Sequence, residues 1–145
     1  MNYVKIQQDI LKLRLEELQK HKPVKIIYQK IDECVWISTD GFVIYAIPER
    51  FFILDTVKFD KPESSAIVNL LDTTDYKDLI PTNQKRVMEK CTATVLLLED
   101  IEVFIDEKLL KNFDKSATFQ SKGQLSPVHV YENGELVGVV CPLRP

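Results

Sequence analysis

A chain of 145 residues with 45% apolar and 28% charged side chains has the size and balance of one soluble globular domain. Its net charge of −3 argues against non-specific capture of nucleic acid by the whole surface, although 19 lysines and arginines leave room for a local basic face. No stretch has the form of a signal peptide or approaches the ~20 apolar residues of a membrane span, so the expectation is a cytoplasmic protein with no membrane contact.

Residues 4–20 carry a helical pattern. Val4, Leu11, Leu15 and Leu18 fall on one stripe, while Ile6, Ile10 and Leu13 broaden the apolar surface on another side. Lys5, Asp9, Lys12, Glu16 and Lys20 share the polar face. His21-Lys22-Pro23 ends the helix, because the residue before proline is pushed out of the α region. A strand begins at Val24 and runs to Tyr28. Residues 33–47 then read as a hairpin around Asp40-Gly41, and Phe51 to Leu54 continues extended.

The middle of the chain is less regular. Lys61 to Ser65 reads as a helix entry and Ala66 to Leu71 as a short helix. Thr73 to Asn83 reads as a loop, and Gln84 to Lys90 as either a helical turn or a strand. From Thr92 the pattern sharpens into two strands, Thr92–Leu98 and Ile101–Ile105, joined at Glu99-Asp100. Asp106 is placed to cap a helix over Glu107–Phe113 by accepting backbone N–H bonds. Ala117 to Phe119 is a short strand, Lys122-Gly123 a turn, and Val128–Cys141 a second hairpin around Asn133-Gly134. In both hairpins an apolar run follows the glycine and stops at a proline, Pro48 or Pro142, which cannot donate to a sheet ladder. A helix-like segment precedes each. The expectation is one α+β domain over 1–145, with related halves at roughly 1–60 and 92–145 bridged by 61–91.

Catalytic constellations are scarce. Four glycines form no phosphate loop, and two histidines lie far from the cysteines, without metal-ligand spacing. Cys34, Cys91 and Cys141 are odd in number and widely separated, so reduced, largely buried thiols are expected, with no metal and no cofactor. A Cys141–His129 dyad would require the hairpin to bring the two together; both sit in apolar strand contexts, where packing is the better reading. The chain reads as non-enzymatic.

Val103 to Phe113, then Ser126-Pro127-Val128, then the ending Val139-Val140-Cys141-Pro142-Leu143-Arg144-Pro145 together resemble the last half-domain of bacterial DNA sliding clamps, the β subunit of the replicative polymerase. Thr39-Asp40-Gly41 resembles a clamp hairpin, with Phe42-Val43 standing where the family places His-Arg. The resemblance implies two pseudo-symmetric β-α-β-β-β halves with two helices on one face of a curved antiparallel sheet. It implies a DNA-associated replication accessory factor, of a size to suit a phage or mobile element, with duplex DNA met by Lys5, Lys12, Lys20, Lys108 and Lys111. It also implies a groove for peptide motifs of replication proteins at Val139, Cys141 and Leu143, and homo-oligomers closed through sheet edges. The alternative reading is a monomeric or dimeric protein- or peptide-binding regulatory module that keeps the fold without encircling DNA.

Overall fold

The computed structural model describes residues 1–21, 26–59 and 61–145. The chain is α+β: one helix, α1 (Tyr3–Lys20), and ten strands in two antiparallel sheets among the described residues. The first strands are β1 (Ile27–Ile31), β2 (Cys34–Ser38) and β3 (Val43–Pro48), followed by β4 (Lys77–Asp78), β5 (Ile80–Val87), β6 (Thr92–Leu98) and β7 (Ile101–Asp106). The last are β8 (Thr118–Ser121), β9 (Val128–Glu132) and β10 (Glu135–Val140). The large sheet runs β1-β2-β3-β10-β9-β8-β4, so the two hairpins meet at its centre, where Tyr45 pairs with Gly138 and Val43 with Val140. The small sheet is β5-β6-β7.

The local chemistry of the turns differs from one to the next. Asn133 (φ 53°) and Gly134 (φ 79°) are both left-handed, as a two-residue turn between β9 and β10 requires. At the β2–β3 loop only Gly41 is left-handed, and the Asp40 carboxylate accepts from Phe42 N at 2.8 Å while Ser38 Oγ accepts from Gly41 N at 3.0 Å. A further hairpin, at Asp32-Glu33, joins β1 to β2 with Asp32 at φ 54°. No glycine announces it.

The large sheet has two buried faces. On one, Ile6 and Ile10 of α1 cover Val35, Ile37 and Ile47. The same face continues over β9 and β10, where Val128, Val130 and Val140 meet Phe113 and the inner side of the small sheet, Leu96, Leu98, Val103 and Ile105. On the opposite face, Trp36, Ile44, Ala46 and Val139 are closed by Ile67 and Leu71.

Three expectations are corrected. The segment after Asp106 is a single 3-10 turn, Glu107–Leu110, not a second α-helix; Asp106 does cap it, accepting from Lys108 N at 3.0 Å. The helix stops because Phe113 is drawn into the core and the Asn112 carbonyl is taken by Asn2 N. The short helix expected over Ala66–Leu71 is present as a 3-10 helix, Ile67–Leu71. The expected loop at 73–83 contains β4 and the start of β5, and Gln84–Val87 is strand. Cys141 is exposed and Cys34 and Cys91 are half-buried, so the thiols are free but not a buried set. The helix end holds as far as it is described, with His21 at φ 52°; the expected stop at Lys22-Pro23 and strand start at Val24 lie outside the described residues.

Candidate functional site

Helix α1 is docked by one stripe only. Ile6 and Ile10 are 2% and 3% exposed, and between them and solvent sits a buried glutamine, Gln7. Its amide behaves as a spare peptide group: Nε2 donates to Phe51 O at 2.8 Å and to Tyr3 O at 3.1 Å, while Oε1 accepts from Ile53 N at 2.8 Å. Both sides of the amide are satisfied, as burial demands. Tyr3 adds a stacked contact to Phe51, with centroids 5.4 Å apart. The helix start is held by Asn2, whose side chain accepts from Lys5 N at 3.0 Å. The Met1 ammonium bridges Glu132 at 2.9 Å and Asp114 at 3.1 Å. Burial alone would lower its pKa, but hydrogen bonds to the two carboxylates outweigh this and raise it.

The other stripe faces water. Val4, Leu11, Leu15 and Leu18 are 66%, 48%, 62% and 60% exposed. With exposed Gln8 they recur at alternating intervals of four and three residues, the a/d spacing of a helix that packs against another helix. Beside the N-terminal half of this stripe lies a groove of about 770 Å³, lined by Val4, Gln8, Leu11, Phe51 and Ile53. Phe51 and Ile53 are themselves exposed, which makes the apolar surface continuous from the helix to the segment that Gln7 tethers. A contiguous apolar patch of this kind is a surface of the sort through which domains meet proteins, membranes or ligands.

Three of the basic candidates come together. Lys12, Lys108 and Lys111 line a second groove, about 390 Å³, between α1 and the 107–112 segment. Asp9, Glu16 and Asp40 line the same groove, so carboxylates are interleaved with the three ammonium groups. Lys5 is outside the groove lining but pairs with its Asp9 at 3.0 Å, and Lys20 is exposed in the last helical turn.

The peptide-groove candidates do not share a surface. Val139 is buried among Trp36, Ile44 and Ala46, and Cys141 is exposed just beyond β10. Leu143 packs on the outer side of the small sheet near Val95 and Phe104, and Leu143 N donates to Phe104 O at 2.7 Å. Sheet-edge pairing meets an obstacle as well. On the outer edge of β1, Tyr28 O accepts from Ser64 N at 2.8 Å and Lys30 N donates to Glu63 Oε1 at 2.6 Å. Two of the groups on this edge that would receive another strand are already used.

His129 is fully buried, whereas Cys141 is exposed. Its Nε2 lies 2.7 Å from Leu70 O, its ring stacks on Tyr76 at 4.0 Å, and its Nδ1 has no partner. Burial lowers its pKa. The ring is a fastening for the 67–79 segment, whose Tyr76 hydroxyl also donates to Pro127 O at 3.0 Å.

Among the described residues no group of three or more His, Cys, Asp and Glu is placed to hold a metal, and no helix is long and apolar enough to cross a membrane. No family model, curated protein or solved structure matches the chain.

Proposed function

We propose that this chain is a non-enzymatic protein-docking module built on a clamp-like doubled unit, and that it works through the solvent-facing stripe of α1 and not by encircling DNA. The strand order supports the doubled unit: outward from the central β3–β10 pair it reads β2, β1 on one side and β9, β8 on the other. The observation that carries the docking reading is the exposed row Val4, Leu11, Leu15 and Leu18 on α1, the helix that covers β1–β3. A helix turned toward phosphates gains from cations there, because binding is driven by counterion release. A row of leucines offers none. The carboxylates interleaved with Lys12, Lys108 and Lys111 and the partly occupied outer edge of β1 favour the same reading over a DNA-encircling ring.

The test compares wild type with a Leu11→Lys/Leu15→Lys variant of unchanged circular dichroism. Both are used to capture proteins from the host and a differently tagged copy of the chain. Interactions held by the wild type and lost from the variant support docking through α1; identical captured sets overturn it. A parallel titration with duplex DNA at low salt addresses the other reading. Sequence-independent binding that falls steeply with salt, and is lost when Lys5, Lys12, Lys108 and Lys111 are neutralised together, would put a DNA-associated clamp relative in its place.

A further inference from the structure

We infer that the occupant of the α1 stripe is α1 of a second copy of this chain, the two helices lying parallel and in register. The inference rests on the docking reading and names its partner. The row Val4, Gln8, Leu11, Leu15, Leu18 keeps the 4-3-4-3 spacing over its whole length, with Val4, Leu11 and Leu18 at d positions and Gln8 and Leu15 at a positions. At 1.5 Å per residue it is about 21 Å long. A parallel in-register pair stacks like on like. Four layers are apolar, and the one polar layer sets Gln8 against Gln8, where each amide meets the amide it can hydrogen-bond. Any other register, or an antiparallel pair, leaves Gln8 against an apolar layer or beyond the end of the seam. A single polar a position selects register and orientation in this way.

The flanking charges point the same way. Lys5, Lys12 and Gln19 occupy e positions, and Gln7 and Arg14 occupy g positions. In a parallel pair each g residue lies near the e residue five positions further along the other helix, so Arg14 comes near Gln19 and Lys12 near position 7, where the buried Gln7 amide stays with Phe51 and Ile53. No like charges meet. An antiparallel pair sets e against e, which brings Lys12 against Lys12 or Lys5 of the other copy, a repulsion. Arg14 keeps its Glu17 partner at 2.6 Å in the single copy and is not needed as a free cation. Phe51 and Ile53 widen the contact on the g side, so that the short seam is not the whole interface.

The test is molar mass by light scattering on the full chain, from low to high micromolar concentration. Wild type should approach twice its 16.8 kDa, and Leu11→Lys/Leu15→Lys should remain at 16.8 kDa with unchanged circular dichroism. Orientation is read separately with Gln8→Cys in a background where Cys34, Cys91 and Cys141 are serine. Mild oxidation should convert most of the chain to a disulfide-linked dimer, because parallel register puts the two position-8 side chains in one layer. A dimer that does not cross-link there overturns the parallel arrangement. A wild type that stays monomeric throughout overturns self-pairing; if the Leu11→Lys/Leu15→Lys variant then still loses a captured host protein, docking through α1 stands without it.

Discussion

The two sets of strands that meet at the centre of the large sheet, β1–β3 and β8–β10, are covered differently. Over β1–β3 lies α1, 18 residues long, fastened by Ile6, Ile10 and the Gln7 amide. Ahead of β8–β10 the chain makes one 3-10 turn, and the cover is completed by Phe113 and the inner face of the small sheet. The difference shows what each cover is free to do. Phe113 and the small sheet are committed to the core on the side they present to the large sheet. A long helix lying on a sheet needs only one stripe, so α1 has a second stripe to offer.

Breaking the second cover should have the largest effect. Phe113→Ala removes a buried ring from the centre of the main cluster and should cost about 3–5 kcal/mol, read as a shift in the denaturation midpoint. Ile6→Ala, its counterpart under α1, should cost about 2–5 kcal/mol. Near-zero values for either would mean that the sheet half beneath it is not closed as described.

Gly138→Ala sharpens the same point. A Cβ there would lie 2.5 and 2.6 Å from Phe113 ring carbons and 3.1 Å from Ile44 O. Overpacking of this kind costs about 1–3 kcal/mol. Combining it with Phe113→Leu should give a loss smaller than the sum of the two single changes, because the leucine vacates the contested space. Strict additivity in urea unfolding would count against that contact.

Gln7→Leu addresses the first cover. It leaves Phe51 O and Ile53 N without their partner and should cost about 1–3 kcal/mol, with faster amide exchange at Ile53 than in wild type. Unchanged exchange at Ile53 would show that the 51–53 segment is held by something else.

His129 gives the smallest effect, one of pH. Its folded pKa lies below the unfolded value near 6.5, because burial disfavours the cation and Nδ1 has no acceptor beside it. Asp72 and Lys122 act on it in opposite directions and less than burial does. The unfolded chain therefore binds more protons below about pH 6.5, and stability falls as pH drops through that value toward the folded pKa. One proton sets a limit of about 1.4 kcal/mol per pH unit. The stability difference between wild type and His129→Leu should shrink as pH is lowered from 7 to 5; a constant difference would mean that His129 does not titrate across folding.

Much of the sheet was legible from sequence, and the misses have physical reasons. Strands β2, β3, β6, β7, β9 and β10 carry apolar residues on buried faces, and Asn133-Gly134 announces its turn. β5 could not be read that way. It is an edge strand, exposed along nearly its whole length, with Pro81 and a left-handed Asn83 at an irregularity in its register. Glu107–Phe113 has a cap and helical spacing, but whether a helix continues there depends on Phe113 reaching a core made of distant strands. Helix α1 itself was legible; its orientation was not. Both apolar stripes satisfy the period, and periodicity does not say which one meets the sheet. A glutamine interrupting an apolar surface at position 7 was the available signal for the docked side, and its meaning depends on Phe51 and Ile53, more than forty positions away.

The claim that the outward stripe of α1 serves association and not the fold is tested most directly by the thermal midpoint as a function of protein concentration, for wild type and for Leu11→Lys/Leu15→Lys. Association that favours the folded state makes the midpoint rise with concentration. The wild-type midpoint should climb, the variant's should stay flat, and the two should meet at high dilution. A variant midpoint that remains well below the wild type's at every dilution would contradict the account, because Leu11 and Leu15 would then be part of what holds a single chain together.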